Sequence, residues 1–295
     1  MKYILVLLSL VAQLSFGAQS TQDKPVHIIT SFPVGSGPDT MLRALSNVLS
    51  EKWQQPVIVE NKPGGKGFVA VTALKQTKQL TLIQLDNFHL LEKDPYPIVD
   101  TVTPVVGLFR NPFFVTVSSN SEYKTLADIV KKASDYGSWS VGSPGHIGAM
   151  LLCDRANVTM NHVPFKEMTQ LYASVASGDI EWAFGSAGST QALFNAGRLR
   201  YIAVSSEHRL KDFPNVPTIA EEGYPGFDLY SWVGLYVLAE TDSKLIKQLN
   251  LDIASALSDP TVQRQLATLQ YEALPKDIAF VQKQVAKNGK TYIKK

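Results

Sequence analysis

The stretch Val26-His27-Ile28-Ile29-Thr30-Ser31-Phe32-Pro33-Val34-Gly35-Ser36-Gly37-Pro38-Asp39, running straight into Thr40-Met41-Leu42-Arg43-Ala44-Leu45, decides the fold. Val26 to Thr30 is a β-branched, strand-like run. Residues 39–53 carry apolar side chains at Met41, Leu42, Leu45, Val48, Leu49 and Trp53, the spacing of one helix face. Between the two stand Pro33, Pro38 and a Gly35-Ser36-Gly37 triplet, so the chain turns sharply from strand into helix. Pro38 suits the first helical turn, where its missing N–H is not needed. A strand feeding a helix through a short turn is the building unit of α/β folds.

Outward from this unit the alternation continues. Residues 56–60, 80–85 and 113–117 read as strands, and a turn at 61–67 leads into a helix through Leu74. A helix at 126–133 is entered by Thr125 with Asp128 three residues on, a capping-box-like arrangement. Residues 139–142, 161–164, 180–184 and 199–205 are further strand candidates, separated by helices ending at Gly178 and Gly197. A strand at 232–238 then leads into amphipathic helices at 242–257 and 276–287, with a shorter one at 260–269. The 295-residue chain therefore reads as α/β units around mainly parallel sheets, long enough for two domains. The expected lobes are residues 24–117 with 233–295, and residues 118–232, with crossings near 118–125 and 226–232.

Met1-Lys2 gives a positive start, residues 3–12 are mostly apolar, and Ser15-Phe16-Gly17 places small residues where a signal peptidase reads. Residues 1–17 are thus read as a secretory signal peptide, and the mature chain is expected to begin near Ala18.

Several function classes are disfavoured by composition and motif spacing. With 28 Lys+Arg against 26 Asp+Glu and no long basic stretch, nucleic acid is not an expected partner. Cys153 is the single cysteine, so neither an intramolecular disulfide nor a CxxC metal cluster is encoded. His27, His89, His146, His162 and His208 are scattered without zinc-ligand spacing. No G-x-S-x-G elbow is present. No catalytic residue, metal ligand or cofactor is assigned.

Two loops carry a binding signal. Gly35-Ser36-Gly37-Pro38-Asp39 lies between strand and helix, where glycines let backbone approach a ligand and helix-start N–H groups face an anion. It matches neither G-x-G-x-x-G nor the P-loop pattern, and a purely structural turn stays open as its alternative. Gly142-Ser143-Pro144-Gly145-His146 repeats the pattern before a helix expected near Ile147. One such loop per lobe suggests a ligand gripped across a cleft.

At these residues the chain resembles the Bug-type periplasmic solute-binding proteins of tripartite tricarboxylate transporters. The resemblance rests on Lys24 to Phe32, on the Gly35–Asp39 loop with Arg43, and on Gln55-Pro56-Val57-Ile58-Val59-Glu60-Asn61-Lys62-Pro63-Gly64-Gly65. It continues through His162-Val163-Pro164-Phe165-Lys166, Val216-Pro217-Thr218-Ile219-Ala220-Glu221-Glu222-Gly223 and Ser231-Trp232-Val233-Gly234-Leu235. It implies a two-lobed type II periplasmic-binding-protein fold with a ligand cleft between the lobes, and a periplasmic, non-enzymatic protein that hands a small organic carboxylate to membrane permease subunits. Carried over residue by residue, it points to Phe32, Gly35, Ser36, Gly37 and Asp39 in the first loop and to Ser143 and Gly145 in the second. For Asp39 a helix-start charge that fixes the loop is the physically easier role. Against the family pattern, Pro38 stands where Ser or Thr is common, and Gly185 where a ligand-selecting Asp is frequent. The rival readings are an extracytoplasmic enzyme, and an interaction protein that presents a ligand to a sensor kinase.

Overall fold

The computed structural model describes residues 25–275 and Lys283. The signal peptide read at 1–17 lies outside the described residues, as does the helix read at 276–287 apart from Lys283.

The opening unit forms as read: β1 spans Val26–Thr30 and α1 spans Gly37–Trp53. There follow β2 (Val57–Asn61), a 3-10 turn at Gly65–Gly67, α2 (Phe68–Gln76) and β3 (Thr81–Asp86). Two short helices, α3 (Asn87–Leu91) and α4 (Ile98–Thr101), precede the long strand β4 (Val102–Pro112). Next come β5 (Phe114–Ser118), α5 (Leu126–Lys132), β6 (Asp135–Ser138), α6 (Pro144–Ala156) and β7 (Asn161–Pro164). They are followed by α7 (Met168–Ser177), β8 (Ala183–Gly185), α8 (Ala187–Asn195) and β9 (Leu199–Val204). The chain ends its described part with β10 (Tyr230–Leu238), α9 (Ser243–Ala256), α10 (Pro260–Thr268) and β11 (Glu272–Ala273).

These strands make two sheets, in the orders β11-β4-β10-β3-β1-β2 and β7-β6-β8-β5-β9. Both are mixed, which corrects the expectation of mainly parallel sheets. β1 pairs in parallel with β2 and β3, but β10 runs antiparallel between β3 and β4. In the second sheet β6 is parallel to β7 and β8, whereas β5 is antiparallel to β8 and β9. The antiparallel strands β5 and β10 are those the chain forms on first entering one sheet and on returning to the other.

Each sheet is covered by its own helices. In α1 the residues Met41, Leu42, Leu45 and Leu49 are fully buried and pack with Leu82 and Phe109 of the sheet, Ile253 of α9 and Val262 of α10. The second sheet buries Val115, Trp182 and Phe184 with Ile129 of α5 and Leu152 of α6. Thr125 caps α5 in a capping box with Asp128, as the sequence suggests.

The crossings lie closer to the sheets than expected. Residues 114–117, read with the first lobe, pair inside the second sheet, and residues 230–232, read with the second, pair inside the first. The chain passes outward at Phe113 and returns just before Tyr230. Ser205, fully buried, ties the two crossings together: its Oγ accepts from Phe113 N–H at 2.8 Å and donates to Leu229 C=O at 2.6 Å. Its own N–H and C=O bond the same two residues.

Candidate functional site

The first loop is organised from within by one carboxylate. Asp39 is 2% exposed, and its oxygens accept from Gly35 N–H at 2.8 Å, Asn61 Nδ2 at 2.7 Å and Arg43 Nε at 3.2 Å. Burial works to raise its pKa, but the bonds from Asn61, Gly35 and Arg43 outweigh it and hold the carboxyl below its ordinary value. Asp39, carried over as a ligand residue, is therefore turned inward and shapes the loop. Gly35 has φ +76° and spends its N–H on Asp39, while Ser36 donates through Oγ to Pro33 C=O at 2.7 Å. Phe32 places its ring edge-on to His89, with centroids 5.5 Å apart. Ser36 makes no side-chain cap on α1, and among the described residues Gly37 N–H has no hydrogen-bond partner. The first turn of α1 thus keeps a donor free.

The second loop closes on itself. Residues 139–142, read as a strand, form a turn after β6. Ser143 caps α6, its Oγ accepting from His146 N–H at 3.3 Å and donating to Ser140 C=O at 2.8 Å. His146 Nδ1 accepts from Gly142 N–H at 3.1 Å, which requires that nitrogen to be unprotonated. Burial, with a smaller contribution from His162, lowers the His146 pKa and favours that form. Gly145 is a packing position: a Cβ there would lie 2.7 Å from Cζ3 of Trp139. Ser143 and Gly145, both carried over as ligand residues, are engaged in building their own loop.

A third loop of the same type, marked in the sequence reading only by its Gly185, is not assigned there as a binding loop. Gly185-Ser186-Ala187-Gly188 joins β8 to α8, again strand to helix. Its cap, Ser186, makes no side-chain bond to the helix, and the N–H groups of Ala187 and Gly188 have no partner among the described residues. Its glycine-serine signal equals that of the other two loops and could have found it. Gly185 itself packs inward, since a Cβ there would lie 2.5 Å from Cγ2 of Thr190.

Tyr271 brings the first and third loops together. Its ring stacks on Phe109 with centroids 4.3 Å apart and planes 8° from parallel. Its hydroxyl stands against the Gly37 Cα and 3.9 Å from where a Cβ of Gly188 would be. The first turns of α1 and α8, from opposite sheets, thus flank one phenol. The second loop meets the first half of the fold elsewhere, where a Cβ on Gly142 would lie 3.8 Å from Nζ of Lys66. Lys66 Nζ pairs with Glu92 at 3.2 Å. Gln270 Nε2 closes a further contact between the halves, donating to Asp212 at 2.7 Å. Beside Tyr271 a cavity of about 340 Å³ is lined by Arg110, His208, Lys211, Tyr230 and Glu272 among others.

This geometry stands with clear likenesses to other proteins. The chain is 27% identical over 263 residues to Protein BugT of Bordetella pertussis, covering 83% of this chain and 79% of that protein. Its fold superposes on MatC of Rhodopseudomonas palustris, solved with bound malate, with a TM-score of 0.80 at 21% identity, covering 91% and 97% of the two chains. A second protein of that organism, solved with adipate, gives a TM-score of 0.81 at 22% identity over 91% and 94%. The two-sheet α/β architecture is thus that of periplasmic binding proteins. Residues 41–295 match the receptor of the tripartite tricarboxylate transporter family, and the chain belongs to that family.

Proposed function

We propose that this chain is an exported receptor that closes its two halves on a small organic carboxylate and presents it to membrane permease subunits. The observation that carries this reading is the meeting of two uncapped helix starts, α1 and α8, across the line between the halves. A helix N-terminus favours negative charge through its free N–H groups and its dipole, worth about 0.3–1 kcal/mol each at exposed sites and more when partly buried. Two such ends converging from separate sheets make an anion the natural cement of a closed form. The family membership and the malate and adipate seen in similar proteins support the same chemistry.

Phe32, Gly37 and the Ala187-Gly188 turn form the ligand wall in this reading, while Gly35, Ser36 and Asp39 hold the first loop in shape. Opening and closing take place at Phe113 and before Tyr230, the two strand crossings stapled by Ser205. Export follows from the residues 1–17, and fractionation with N-terminal sequencing should find a periplasmic species beginning near Ala18.

Thermal melting tests the ligand class. At about 100-fold excess over its Kd a dicarboxylate adds about 2.7 kcal/mol. At roughly 2–4 °C per kcal/mol, that shift is readily measured. Matched diamides should give none. Equal shifts from diamides, or none from a broad carboxylate panel, would remove the carboxylate reading.

A further inference from the structure

We infer that Tyr271 is a specificity-determining residue of the site, its unpartnered phenol hydroxyl, held between Gly37 of α1 and Gly188 of α8, donating a hydrogen bond to the ligand carboxylate. The inference rests on the carboxylate reading above and names a residue outside all three loops.

The Tyr271 side chain is held rigidly. The residue is 7% exposed, its ring stacks on Phe109, and its backbone N–H bonds Leu266 C=O at 2.9 Å. Yet the hydroxyl makes no hydrogen bond to the described residues and, not being fully buried itself, stays open to a ligand or water. A rigidly held phenol whose hydroxyl bonds no protein group is a donor available to a ligand. Its surroundings say of what kind. Gly37 lacks the Cβ that would clash with the hydroxyl, and a Cβ on Gly188 would lie 3.9 Å from it. Both positions lie in the first turn of helices whose caps make no side-chain bond, so the phenol stands beside two helix starts with free N–H groups. A phenol O–H beside the N–H groups of two helix starts, all of them donors, matches the acceptor-only chemistry of a carboxylate oxygen and leaves an amide nitrogen without an acceptor. Burial also pushes the phenol pKa far up, so it stays a proton donor throughout the physiological range.

Position in the chain adds a second consequence. Tyr271 leaves the end of α10 and enters β11, on the first sheet, but its hydroxyl stands close to Gly188 at the start of α8 in the second half. A ligand that accepts from it and from Gly188 N–H couples the halves, so the phenol reads closure as well as charge.

The test compares wild type, Tyr271→Phe, Gly37→Ala and the double variant, by calorimetric titration with succinate, malate and adipate and by melting without ligand. Tyr271→Phe keeps the ring on Phe109 and removes a hydroxyl that bonds nothing, so the unliganded melting point should stay within about 1 °C. Dicarboxylate affinity should fall by roughly tenfold or more, as expected for a hydrogen bond to a charged group. Gly37→Ala should displace the hydroxyl and cost a similar factor, and when added to Tyr271→Phe it should cost much less. Wild-type affinity in Tyr271→Phe would overturn the inference and leave the carboxylate reading intact. Failure of wild type to bind any of the three acids would overturn both.

Discussion

The first loop, residues 32–39, and the second, residues 140–146, look alike in sequence and spend their polar groups in opposite ways. Each is a glycine-serine turn from strand to helix with a proline in the first helical turn. In the first, the shaping group is Asp39, one turn into α1, which reaches back to Gly35 and leaves the end of the helix uncapped. In the second, the shaping groups are Ser143 and His146, which occupy the end itself. On the proposed reading, a strand-to-helix glycine turn is open to an anion only when the capping side chain is directed elsewhere. The third loop, at Ser186, falls with the first by the same criterion.

The largest expected effect separates the shaping groups. Asp39→Ala removes the carboxylate that accepts from Gly35 N–H and Asn61 Nδ2, and hydrogen bonds to a charged group contribute about 1.5–3 kcal/mol each. Urea denaturation should show a loss of about 3 kcal/mol, accompanied by loss of carboxylate binding. A change under about 1 kcal/mol would mean that Asp39 does not hold the loop.

Gly145→Ala should damage stability without touching the ligand. Its new Cβ meets the Trp139 ring, an overpacking of about 1–3 kcal/mol, while dicarboxylate affinity stays within about twofold. Ser143→Ala removes an N-cap and should cost about 1 kcal/mol, again with binding preserved. A marked loss of affinity in either variant would return the second loop to the ligand site.

The smallest effect is one of pH, and it distinguishes the loops by sign and range. His146 has a lowered pKa, so its contribution is present above its ordinary value of 6.5 and is lost as pH falls through the folded value. The neighbouring His162, hydrogen-bonded to Ser138 at 2.7 Å, is lowered by burial too and acts in the same direction. Asp39 is likewise lowered, from 3.8, so the first loop keeps its support until far more acid conditions. Amide hydrogen exchange should show Gly142 losing protection below about pH 6.5 while Gly35 remains protected at pH 5. Simultaneous loss at both amides would contradict separate shaping groups.

How much of this is legible in the sequence follows from which interactions are local. β1, α1, β2 and the Thr125 capping box depend on neighbours in sequence, and their residues announce them. β4 does not show, because Pro104, Gly107 and Pro112 interrupt it; the pairing with β10 absorbs irregularities through register shifts at Val233/Gly234 and Leu235/Tyr236. β6 is Asp-Tyr-Gly-Ser, in which only Tyr136 favours a strand, held between β7 and β8 by tertiary pairing, so the strand expectation falls on the more apolar residues 139–142. Among site residues, the free N–H of Gly37 can be anticipated from its turn. That Ser143 spends its hydroxyl on a cap cannot be separated in sequence from ligand binding, since both uses want the same residue at the same place. Tyr271 is invisible there, because only the fold sets it against Gly37, more than two hundred residues earlier.

The central claim is that the free helix starts, and not the glycine-serine sequence as such, bind the carboxylate. Calorimetric titration of one dicarboxylate that binds wild type into Gly37→Val and Ser143→Ala tests it most directly. We predict at least a tenfold loss for Gly37→Val, whose side chain fills the space against Tyr271, and a change within about twofold for Ser143→Ala. Equal losses in the two variants, or a larger loss in Ser143→Ala, would contradict the account.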